Sequence, residues 1–241
     1  KQQKGRALMG VEKAIVIDEL QKHPFLIEMA QFTPLQLKRS DDEAVVLQTM
    51  MLMSGEIESL VADKILKFAT EMRDTDVSNV TNAIKDAMDY LYSINTTSPL
   101  FKKLHLPTLL MVAKKAHDEK VEANVFSAWI DDFTLAIDRR KEGKALVKTN
   151  YKGFTGAGSV KRDKVYGRRD SMLAHFDEFR EAYANEQKRT QEEEVKAKEE
   201  LEMKANANMD KETINNELNE SNDFIEVNSG IEAVEEEVMN A

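Results

Sequence analysis

The sequence predicts an all-α fold: an irregular bundle of six to eight helices with one basic loop and an acidic, largely disordered C-terminal tail. Three observations carry this. Apolar residues recur at three- and four-residue steps through most of the first 185 positions, the signature of helices that bury one face. No convincing stretch alternates with the two-residue period of a strand. All four prolines, Pro24, Pro34, Pro99 and Pro107, fall before residue 108 at turn positions. The expected organisation is a helical domain over 1–185 and an acidic tail, helical or disordered, over 186–241.

Residues 1–22 read as one helix, with Leu8, Val11, Ile15 and Leu20 as its stripe and Met9 and Ile17 widening it. The opening carries no cap signal, so this helix is expected to continue from an upstream domain. His23-Pro24 ends it, because a residue before proline avoids the α region. Thr33-Pro34-Leu35-Gln36 is a capping box with proline in the first turn. Ser40-Asp41-Asp42-Glu43 reads as a second capping box, opening a nearly continuous apolar run to Met53, the expected buried centre. Ile57, Leu60, Val61, Ile65 and Phe68 form the next stripe. Val77, Val80, Ile84, Ala87, Met88 and Leu91 form another, capped from Asp74, Thr75 or Asp76. Residues 109–116 give a further helix. Val121, Val125, Trp129, Ile130, Phe133 and Ile137 give a long one that runs into Arg139, Arg140 and Lys141 and stops at Gly143. Met172, Phe176, Phe179 and Tyr183 mark the last amphipathic helix, beyond which the apolar face fades.

Charge is unevenly placed. The whole chain carries −10, but residues 186–241 hold seventeen acids against six bases, so the helical part is close to neutral. Cysteine is absent, which rules out disulfides and thiolate metal sites and fits a cytoplasmic setting. No run of eighteen apolar residues spans a membrane, and no membrane partner is expected.

Residues 139–169 hold eleven bases against two acids, and five of the nine glycines. Flexible glycines let backbone N–H groups approach an anion, while lysine and arginine neutralise it. Tyr151, Phe154 and Tyr166 interleave with the bases as candidate stacking faces. Lys148, Lys152, Lys161, Arg162, Lys164, Arg168 and Arg169 are therefore the candidate nucleic-acid-binding residues, with the emphasis on 161–169. The bland reading is a solvated loop that pairs with the acidic tail or an acidic partner. Gly156-Ala157-Gly158-Ser159 lacks the Gly-Lys-Ser/Thr ending of a phosphate loop.

Other chemistry finds no support in the pattern. His23, His105, His117 and His175 are not spaced to share a metal on one helix face, and His117-Asp118-Glu119 points three ways. Asp41-Asp42 is explained by capping, and Asp131-Asp132 reads as the polar side of the Trp129 helix. No catalytic residue, metal or cofactor is assigned, and this stretch alone is not expected to be an enzyme.

Three stretches carry a family resemblance: KQQKGRALMG followed by HPF, FTPLQLKRSDDEAVVLQTMM, and SVKRDKVYGRRDSMLAHF. Together they resemble the helical part of phage-type ParB/sulfiredoxin-like proteins related to the GmrSD restriction N-terminal domain, over about residues 1–185. The resemblance implies a parent with an N-terminal ParB-like domain carrying an Asp-Gly-Gln-Arg motif, associated with nucleotide hydrolysis and, in restriction systems, with DNA cleavage by an added nuclease domain. This sequence has neither Asp-Gly-Gln-Arg nor a His-Asn-His motif, so no catalytic residue carries over. Lys1, Lys4 and Arg6 are then expected near the upstream nucleotide pocket. The implied role is a helical accessory domain that contacts DNA or nucleotide through 161–169. The alternative is a non-catalytic interaction scaffold.

Overall fold

A computed structural model describes the backbone of residues 2–55, 59–138 and 144–238, and the side chains of 6–55, 59–138, 144–201 and 203. Among them are nine α-helices, no strand, and one isolated antiparallel bridge between Ser59 and Lys161. None of the described helices is long and apolar enough to cross a membrane. Arg139, Arg140, Lys141 and Gly143, and Ile57 of the third stripe, lie outside the described residues.

The expected first helix is two: α1 (Gln2–Met9) and α2 (Val11–Gln21). Gly10 between them has φ 83° and ψ 164°, a backbone state nearly confined to glycine. The break turns the stripe. Met9, Ile17 and Leu20 are buried, whereas Val11 and Ile15, expected inside, are exposed. A π turn over Phe25–Met29 leads to α3 (Pro34–Lys38), where the Thr33–Gln36 capping box is present in both directions.

Helix α4 (Asp41–Met53) is the buried centre its composition predicts, with Val45, Val46, Leu47, Met50, Met51 and Leu52 all inside. Its start is not the expected capping box. Ser40 sits at φ 51° and its own N–H donates to Leu37 O (2.9 Å), so Glu43 has no N-cap amide to reach. Helix α5 (Ala62–Glu71) begins only after Leu60 and Val61 of its apolar stripe, and the Leu60 N–H donates to Val160 O (2.8 Å). Asp76 accepts from the Ser78 N–H (2.9 Å) and so supports the first turn of α6 (Ser78–Ile94).

Helix α7 (Leu106–Asp118) packs against α6 and α4, and α8 (Ala123–Ile137) lies against α6. Helix α9 spans Arg162–Val238. Its Met172, Phe176 and Phe179 close the core, where Phe126, Trp129 and Phe176 meet with ring centroids 4.8–5.5 Å apart. Arg180 pairs with Glu119, and Lys115 with Asp177, at the surface. Lys1–Tyr183 forms one compact unit. Ala184–Ala241 forms a second, and its described side chains are all exposed, as the loss of an apolar face after Tyr183 requires.

Candidate nucleic-acid interface

The segment from Lys144 to Lys161 has no long regular element, yet its backbone is held at several points. The first hold is Asp132, on α8. Its carboxylate is buried and accepts from the N–H groups of Leu146 (2.5 Å) and Val147 (3.3 Å). His175, on α9, joins it. An indole N–H only donates, so the 3.2 Å contact from Trp129 Nε1 makes His175 Nδ1 the acceptor. The ring proton is therefore on Nε2, which faces Val147 O at 3.2 Å and Asp132 Oδ2 at 3.5 Å. Burial pushes the His175 pKa down, against the opposing pull of Asp132 and the Val147 carbonyl.

The second hold is Tyr151, in a 3-10 turn over Tyr151–Phe154. Its ring is buried edge-on against Phe133 (5.1 Å between centroids), and its hydroxyl lies 2.7 Å from His105 Nδ1. Burial pushes the Tyr151 phenol up and the His105 imidazole down to about 4, with Arg168 and Lys102 adding repulsion to protonated His105.

The third hold is the first two turns of α9. Arg168 donates to Phe154 O (3.0 Å) and Ser159 O (2.7 Å), and Lys164 donates to Gly153 O (2.8 Å). The Phe154 ring lies directly on Gly167. A Cβ there would sit 2.2 Å from Phe154 Cδ1, so the glycine is required by close packing inside a helix. Finally, the Ser59–Lys161 bridge ties the far end to the residues before α5.

This arrangement corrects several sequence expectations. The last helix begins at Arg162, ten residues before Met172, so Arg162, Lys164, Arg168 and Arg169 are helical. Arg168 is buried, with its guanidinium on two carbonyls, and is withdrawn from the contact set. Lys148, Lys152, Lys161 and Arg162 are exposed, and Lys164 and Arg169 are half-buried. The proposed stacking faces are not open. Tyr151 is buried and Phe154 is packed on Gly167. Tyr166 carries Arg162 and Arg169 over its ring, at 5.4 and 4.2 Å from the centroid. Asp132 is inside the fold, where the sequence placed it on the polar side. The available signal was its position three residues from Trp129, which puts both on one helix face.

What the arrangement offers chemically is a fixed array of cations. Among the described residues, no group of three or more histidines and acids is placed to hold a metal ion. Comparison with protein-family models, with curated proteins and with solved structures finds no match to this chain.

Two outcomes follow from these contacts. Gly167→Ala should destabilise the domain by about 1–3 kcal/mol, the usual cost of overpacking. In a Phe154→Ala background the same change should be neutral or slightly stabilising, since alanine favours the helix; denaturant unfolding of the four proteins measures both. The second concerns pH. His105 is depressed from 6.5 to about 4 in the folded chain, so the unfolded state takes up its proton first as pH falls. The contribution is complete above pH 6.5 and is lost on descending to pH 4, by roughly 3 kcal/mol. Thermal melts over that range should slope downward with falling pH, and less steeply in His105→Gln.

Proposed function

We propose that the clasp formed by 144–169 is the DNA-contacting surface of this domain, which serves as a helical accessory part of a ParB-like DNA- or nucleotide-processing protein. The observation that carries the contact is the fixing of the backbone between exposed cations. Lys148, Lys152, Lys161 and Arg162 are exposed, while Asp132, Lys164, Arg168 and Phe154 anchor the chain that bears them. A held array loses less freedom on binding than a floppy loop with the same charge. The aromatic rings of the segment are already packed, so the contact is to phosphates and not to unstacked bases. This favours duplex DNA, bound with little sequence preference. The ParB-like part of the reading rests on the three resembling stretches.

Fluorescence anisotropy with labelled duplex and single-stranded DNA, over a salt series, tests the contact. The logarithm of the affinity should fall with the logarithm of salt with a slope of about −0.9 per phosphate neutralised. Lys148→Glu, Lys152→Glu and Lys161→Glu together should weaken duplex binding at least about tenfold at low salt and flatten that slope. No affinity at low salt, with or without residues 186–241, contradicts the proposal and leaves the interaction scaffold. Equal binding by the charge-reversed protein contradicts it as well.

A further inference from the structure

The start of α4 opens onto a cleft of about 1000 Å³ that meets the basic segment only at Val160 and is lined by none of the candidate DNA-binding cations. Its wall is aliphatic, formed by Leu47, Leu60, Ile65, Leu66 and Ala69. Glu43 stands in it. Freed from the expected capping role, its carboxylate takes the Arg6 Nε–H on Oε2 at 2.9 Å. Only 1 % of Glu43 is exposed, and its other oxygen, Oε1, has no hydrogen-bond partner among the described residues. Burial pushes the carboxyl pKa up, with Arg6 opposing.

The mouth of the cleft has a different chemistry. Lys38 and Arg39 line it and are exposed, whereas Lys103 is neutralised by Asp41 at 2.7 Å. The N-terminus of α4, a thirteen-residue helix, adds its positive dipole end nearby. A large apolar cleft with a few convergent polar groups and a perturbed carboxyl is the ordinary form of a small-molecule site.

We propose that this cleft binds a small amphipathic organic anion. Its apolar body lies on the Leu47–Leu66 wall, and its anionic group meets Lys38 and Arg39. This site is separate from the clasp cations, and its occupancy does not depend on DNA binding.

Anilinonaphthalene sulfonate has both features in one fluorescent probe: a fused aromatic body and a sulfonate. Titrated into the full chain, it should show saturable binding at one site per chain by fluorescence and calorimetry. Lys38→Glu with Arg39→Glu should weaken it at least about tenfold. Ala62→Trp, at an exposed position lining the cleft, should fill the site and abolish the signal. Lys148→Glu with Lys152→Glu should leave binding unchanged, which separates this site from the clasp. Absence of saturable binding overturns the site, as does equal binding by the Lys38/Arg39 and Ala62 variants.

Discussion

Asp132 is the constraint on which the basic segment depends. A carboxylate inside a helical core must be matched by donors or it destabilises the fold. No lysine or arginine pairs with it among the described residues; two consecutive backbone N–H groups, of Leu146 and Val147, and the His175 ring meet it instead. That solution draws residues 146–147 down onto α8 and α9. Trp129 completes it by fixing which His175 nitrogen carries the proton. A charge that would be a liability in isolation thereby sets the path of a segment with little regular structure of its own.

Once that path is set, the later contacts follow. Tyr151 reaches the core beside Phe133 and His105, and Phe154 comes down on Gly167 of α9, which has no side chain. Arg168 turns inward to two carbonyls of the same segment. Lys148, Lys152 and Lys161 are left exposed on a backbone that is tied at both ends. High positive charge and fixed geometry are usually in conflict, because like charges repel and open loops relieve the repulsion. Here hydrogen bonds to backbone carbonyls and aromatic packing hold the segment against it.

The sequence was most informative where one residue type answers to one local requirement. Thr33 and Gln36 form the capping box their spacing announces, and Val45, Val46, Leu47, Met50, Met51 and Leu52 of the α4 run are buried. Met172, Phe176 and Phe179 face the core as their four- and three-residue steps require. Reading failed where the requirement came from across the fold. Gly167 read as one of the flexible glycines of a basic loop, yet the ring of Phe154, thirteen residues away in sequence, dictates it. Arg168 looked like its neighbours, and only the carbonyls of Phe154 and Ser159 set it apart. Glu43 matched a capping pattern, but Ser40 in the left-handed region and Arg6 on α1 redirected it. Gly10 was absorbed into an apparent helix because a stripe can be counted across a break that only its backbone angles reveal. Family-level function rests on resemblance alone, since helical periodicity specifies burial and not chemistry.

The central claim is that the basic segment is a held clasp. Amide hydrogen exchange resolved at residues 144–161 tests it most directly. The account predicts that the Leu146 and Val147 amides are protected to a degree approaching those of α8, and that Asp132→Asn selectively removes this protection while α4 and α7 stay protected. Exchange of these two amides at the unprotected rate in the wild-type protein, with the helices intact, would contradict it.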